Sequence, residues 1–168
     1  MSTEHRHWTW AEDCLRDEEG TVWATVRADV LNVNESQLAS AQERILLEHS
    51  IDSGSRHFWV RGTATTGQTL HVGQQGVSIS HMQAKCMGRE YTLDRPNPFR
   101  RERRIYDASG NEIIRTRPTF KGVLEITDMR PQQVPDVDAA FLTYCCALVD
   151  APKRPVSYTH LTLPTIYS

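Results

Sequence analysis

Residues 136–149, DVDAAFLTYCCALV, limit what this 168-residue chain can fold into more than any other stretch. The run is apolar on every side of a helix rather than along one stripe, and such a helix has to be covered on every side. Asp136 is a candidate N-cap, and Asp138 adds negative charge to the first turn, where the helix dipole favours it. At 1.5 Å per residue about 13 residues reach roughly 20 Å, too short to cross a bilayer. The cover must come from the rest of the chain.

That remainder reads as strands. Over residues 21–31, Val22, Ala24, Val26, Ala28 and Val30 share one face, and Thr21, Trp23, Thr25, Arg27 and Asp29 the other. Period two over that length predicts one half-buried strand, with residues 10–15 as its hairpin partner across the turn at Gly20. Asn34 as a cap, with Leu38, Ala41 and Ile45 at helical spacing, predicts a short additional helix near residues 35–43. From His57 onward short alternating runs predict strands at 57–65, 69–72, 77–81, 83–86, 90–94, 99–106, 111–117 and 123–127, interrupted by Pro96 and Pro98 and by a turn at Asp107–Gly110. A barrel of eight strands is filled by its own side chains, so enclosing a helix takes roughly a dozen. The expected fold is mainly β: a closed antiparallel barrel of about 10–12 strands around a buried hydrophobic C-terminal helix, as a single domain over residues 1–155. The string VSYTHLTLPT at 156–165 matches the codon-by-codon translation of a transposase sequencing adapter, so residues 156–168 are set aside as a non-native tail.

The chain contains no run of about 20 apolar residues, the pattern of a transmembrane segment. Its first ten residues are polar without a signal-peptide core, so a cytoplasmic location is expected. Cys14, Cys86, Cys145 and Cys146 form no C-x-x-C pair and have no histidines at zinc spacing. Reduced thiols, no metal and no cofactor are expected.

The net charge of -2 conceals an asymmetry: residues 1–55 carry 11 acidic and 4 basic side chains, residues 56–155 carry 10 and 15. The densest basic run is Arg100, Arg101, Arg103 and Arg104, with Arg115, Arg117 and Lys121 across the Asp107–Gly110 turn. In a hairpin these become cross-strand neighbours and form a candidate anion- or headgroup-binding set. Strand alternation puts Arg101 and Arg103 on one face, Arg100 and Arg104 on the other. A closed barrel cannot keep both sets on its outer wall, so part of the run belongs to a loop, a bulge or the rim.

Tyr91-Thr92-Leu93, residues 99–106, the Asp107–Gly110 turn, the strand at 111–117 and the apolar helix after Pro135 together carry a family likeness. The chain resembles the short bacterial LURP-one-related and scramblase-like members of the tubby C-terminal-like superfamily over residues 8–155. The resemblance implies a barrel around a C-terminal helix and, from the tubby proteins, phosphoinositide headgroups held by basic side chains. The 100–104 run would take that role, although it does not match the tubby motif residue for residue. The calcium-loop spacing and cysteine-rich stretch associated with scramblases have no counterpart in the chain.

The reading that follows is a non-catalytic binding or scaffold domain whose partner is an anionic lipid surface or a protein. The alternative is a protein-interaction or structural domain without a small ligand, with Trp23 and Trp59 as surface anchors and Trp8 and Trp10 as further candidates. An enzyme would draw on His57, His71 or His81, with Asp94 or Asp107 as orienters and His71 meeting His81 across a hairpin, but their spacing forms no triad. Nucleic acid is disfavoured because aromatics flank the basic run only at Phe99 and Tyr106.

Overall fold

Antiparallel pairing between neighbours in the chain accounts for every sheet contact but one. The computed structural model describes residues 5–34, 42–50, 57–120 and 122–152. Its strands are β1 (Arg6–Ala11), β2 (Cys14–Asp17), β3 (Val22–Arg27), β4 (Val30–Asn34), β5 (Gln42–His49), β6 (Trp59–Ala64), β7 (Thr69–Gln74), β8 (His81–Cys86), β9 (Arg89–Asp94), β10 (Arg103–Asp107), β11 (Glu112–Phe120) and β12 (Val123–Asp128). They form an up-and-down meander that β1 and β12 close into a barrel, with Arg6 opposite Asp128 and Trp10 opposite Leu124. The helix α1 (Asp136–Asp150) follows β12.

Alternation sets the two faces of the wall. Leu31, Val33, Ile45, Leu47, Val60, Leu70, Val72, Met82, Ala84, Leu93, Leu124 and Ile126 point inward and are buried. Outward positions such as Arg61, His71, Lys85, Glu90 and Glu125 are exposed. This is the reverse of a membrane-spanning barrel, which turns its apolar side chains outward.

Inside lies α1, buried at every position from Val137 to Cys146. Gly62 of β6 makes room for it: a Cβ there would lie 2.5 Å from Ile45 Cγ2 and 3.1 Å from Phe141 Cε1. Trp10 Nε1 donates to Thr143 Oγ1 at 2.8 Å, and that hydroxyl donates to the Ala139 carbonyl at 2.6 Å. The N-cap position is Pro135, which makes no side-chain cap bond, so Asp136 is the first residue of the helix rather than its cap.

Two buried carboxylates tie the helix to the wall, Asp138 to β9 and Asp150 to Arg95 just past β9 and to Arg103 of β10. Asp138 receives Arg89 Nε at 2.6 Å, Arg89 Nη2 at 2.8 Å and the Tyr91 hydroxyl at 2.5 Å. Asp150 receives Arg95 Nη2 at 2.5 Å and a fork from Arg103, Nε at 2.7 Å and Nη2 at 2.9 Å. The spacings match: Asp138 to Asp150 advances about 18 Å along a helix, and Arg89 to Arg95 about 20 Å along a strand. Asp150 sits where the helix dipole disfavours negative charge, and the last turn contains no basic residue. Arg95 and Arg103 supply the positive charge from the wall.

The expected barrel and central helix are both present. Several boundaries differ. Residues 21–31 are not one strand but the hairpin β3–β4, turning at Ala28 (φ 51°) and Asp29 (φ 62°). Residues 10–15 likewise contain the β1–β2 turn, at Glu12 (φ 54°) and Asp13 (φ 61°). Both are two-residue turns with positive φ at each position, which normally select glycine or asparagine; side chains without that signature hid them. Residues 77–80 and 99–102 lie in loops before β8 and β10. Of the short helix expected near 35–43, Gln42 and Glu43 instead begin β5, paired to β4, and positions 35–41 lie outside the described residues. The tail at 156–168 also lies outside them.

Candidate anion-binding site

The outer wall at β10–β12 brings arginines together by register. Arg104 faces Arg115 across β10–β11, and Arg115 faces Thr127 across β11–β12. Two residues further along β11, Arg117 faces Glu125. With Arg100 from the β9–β10 loop, these side chains line an open groove of about 440 Å³ that also includes Glu102.

Carboxylates partly neutralise it. Glu112 takes a close ion pair from Arg115 and lies 3.9 Å from Arg104 Nε. Arg117 Nη2 donates to Glu125 at 2.8 Å. Hydrogen bonds to Glu112 and to Glu125 push the Arg115 and Arg117 guanidinium pKa values further up, so both stay charged. The Arg100 side chain has no partner among the described residues. Like charges directly opposite on neighbouring strands repel, and Glu112, paired with both Arg104 and Arg115, offsets that repulsion. Exposed ion pairs of this kind are worth about 0–1 kcal/mol, so a phosphate-type anion exchanges with them at little cost.

The seven basic residues singled out in the sequence therefore divide. Arg100, Arg104, Arg115 and Arg117 converge on the groove. Arg101 is in the loop, donating from Nη1 to the Asp150 carbonyl at 3.4 Å. Arg103 borders the groove but offers it no free charge: its side chain is 0% exposed and its remaining Nη1 donates to the Ile79 carbonyl at 2.8 Å and the Leu93 carbonyl at 3.2 Å. Lys121 lies outside the described residues. Alternation signals the inward turn of Arg103, since it shares a face with Ile105. Glu112 and Glu125 were missed because nothing in a linear pattern identifies which carboxylate neutralises which arginine.

The other candidates fall elsewhere. His71 faces Lys85, and burial with the nearby Arg61 charge lowers its pKa. His81 faces Asp94 and forms a close Nδ1–Oδ1 pair with it, so His71 and His81 do not meet. His57 is exposed just before β6, and Asp107 accepts turn hydrogen bonds from Ser109 and Asn111. No group of three metal-ligating side chains occurs among the described residues. Trp8 and Trp10 are buried. Trp23 packs on Trp8 at 5.6 Å and donates from Nε1 to Asp17 Oδ2 at 3.1 Å, while Trp59 is half-buried. All four cysteines are free and buried; burial pushes the Cys146 thiol up to about 12 against the opposing Arg103 charge.

A second, wider cleft of about 680 Å³ opens where α1 leaves the barrel, between Leu148, Tyr144 and the turns at Glu12–Asp13 and Ala28–Asp29. Its acids and its arginines, Arg16 and Arg27, offer no single charge to a ligand. No described helix is long and apolar enough to cross a membrane. Comparison with known proteins finds no matching family model, curated protein or solved structure.

Proposed function

We propose that this is a non-catalytic binding domain that takes an anionic, phosphate-bearing group in the β10–β12 groove. The observation that carries the reading is the convergence of Arg100, Arg104, Arg115 and Arg117 on one outward cleft. Guanidinium forks match phosphate oxygens bidentately, and they have no proton to exchange near neutral pH, which suits them to binding rather than acid–base chemistry. A barrel around a C-terminal helix, the architecture that the tubby-like resemblance implies, supports a headgroup as the ligand. Four free, buried thiols support a reducing, cytoplasmic setting.

The test is calorimetric titration of the full chain with inositol trisphosphate at low and moderate salt. Binding that weakens with salt, and weakens about tenfold or more in the Arg104→Ala, Arg117→Ala double variant, is expected. Arg103 is unsuitable for this test because it holds the helix. No binding at low salt, or equal binding by the double variant, overturns the reading.

A further inference from the structure

In a meander every second hairpin opens at the same end of the barrel. The β7–β8, β9–β10 and β11–β12 connections are therefore consecutive on one rim, about 10 Å apart at two strand spacings each. Each presents a large apolar side chain to solvent: Val77 is 99% exposed, Phe99 95% and Phe120 75%. Phe99 is held there by structure. Pro96 and Pro98 flank its turn, the Phe99 amide donates to Asn97 Oδ1 at 2.9 Å, and the Arg100 amide donates to the Asn97 carbonyl at 3.0 Å. The Arg95 amide donates to the Ser80 carbonyl at 2.8 Å, which ties this loop to the one bearing Val77. Arg100 and Arg101 follow Phe99 directly, and residues 75–80 contain no charge. The other half of the same end presents Glu12, Asp13 and Asp29 with Arg16 and Arg27 beside them.

We infer that the β7–β12 half of this end docks on an anionic lipid bilayer, Phe99, Val77 and Phe120 entering the interface and the arginines meeting the headgroups. The inference rests on the proposed anion-binding groove, whose Arg100 belongs to the same loop as Phe99. Three apolar tips standing apart need three separate pockets on a protein partner, whereas a fluid interface accepts each independently. Arginines beside them can lay their stems along the apolar layer with the charge at headgroup level. Basic residues near an anionic membrane and buried apolar groups each add to attachment, and stable docking takes both. The other half, where three acids stand beside two arginines, has no excess of positive charge among its described residues, so the barrel axis tilts away from the membrane normal.

The experiment is co-sedimentation of the full chain with phosphatidylcholine vesicles, with and without phosphatidylserine, beside calorimetry with inositol trisphosphate. Expected are binding to the anionic vesicles, about tenfold weaker partitioning for Phe99→Ser with a further loss on adding Val77→Ser, and inositol trisphosphate binding unchanged in both variants. Binding to inositol trisphosphate without binding to vesicles overturns the docking and leaves the groove reading intact. Failure to bind either overturns both. Vesicle binding equal in Phe99→Ser overturns the insertion, and self-association through the three tips without vesicle binding overturns the choice of a bilayer as partner.

Discussion

Replacing Asp150 by asparagine removes one charge and almost no volume, and it should be among the most damaging single changes in the chain. Asp150 is 0% exposed and accepts from two guanidinium groups, Arg103 at 2.7 and 2.9 Å and Arg95 at 3.1 and 2.5 Å. Arg103 is also 0% exposed, so it cannot turn to water when its counter-charge is lost. An asparagine amide offers one carbonyl in place of two carboxylate oxygens and turns its own N–H donors toward N–H donors. Breaking a buried pair in this way costs about 3–5 kcal/mol, which for a domain of this size lowers Tm by roughly 6–20 °C. Urea unfolding followed by tryptophan fluorescence reads it, since Trp8 and Trp10 are buried and Trp10 is bonded to the helix at Thr143. Removing the whole cluster, Arg95→Met and Arg103→Met with Asp150→Leu, leaves no buried charge at this end and should cost less than Asp150→Asn alone. A loss below about 1 kcal/mol, the range of an exposed pair, refutes the claim that this pair holds the helix end.

Gly62→Ala should lower stability by about 1–3 kcal/mol in a thermal melt, because the new methyl meets Ile45 and Phe141 where neither has room to withdraw. Ala28→Gly should raise it by about 1 kcal/mol by relieving a positive φ of 51° in the β3–β4 turn. Alkylation at neutral pH followed by mass spectrometry should find Cys86, Cys145 and Cys146 unmodified until the chain unfolds, since burial pushes all three thiols up. Asp107 has its pKa lowered, chiefly by the Asn111 amide, so its carboxylate stabilises the turn above the ordinary value of 3.8 and that contribution fades as pH falls through the lowered value. The pH dependence of the urea midpoint in that acid range should be shallower in Asp107→Asn than in the parent chain.

The architecture was legible because two periods conflict in one chain: all-round apolar character in a 3.6-residue helix and period-two alternation nearly everywhere else. One can be buried only inside a closed form of the other. What stayed hidden was local. The turns at Glu12–Asp13 and Ala28–Asp29 use residues that do not advertise positive φ, so each hairpin read as a continuous strand. The charged groups were legible by parity and not by partner. Arg89, Tyr91, Leu93 and Arg95 alternate onto the inner face, but their carboxylates lie about 50 residues further along the chain. For the same reason the run at 100–104 read as one patch, whereas Arg103 is a buried anchor and Arg100 and Arg104 line the groove.

The helix is the last element of the described chain, and every strand turns its apolar face toward the space it fills. On a ribosome adding about 5–20 residues per second, the wall is complete before its filling exists. Until Asp150 emerges, hairpins with exposed inner faces are held by neighbour contacts alone, and closing β1 on β12 would enclose a void. The sheet can pre-assemble as an open ribbon, but burial of its inner face and closure of the ring belong to one late event. A protease cut in the middle of α1 therefore acts on the whole domain, because it divides the element that fills the shell.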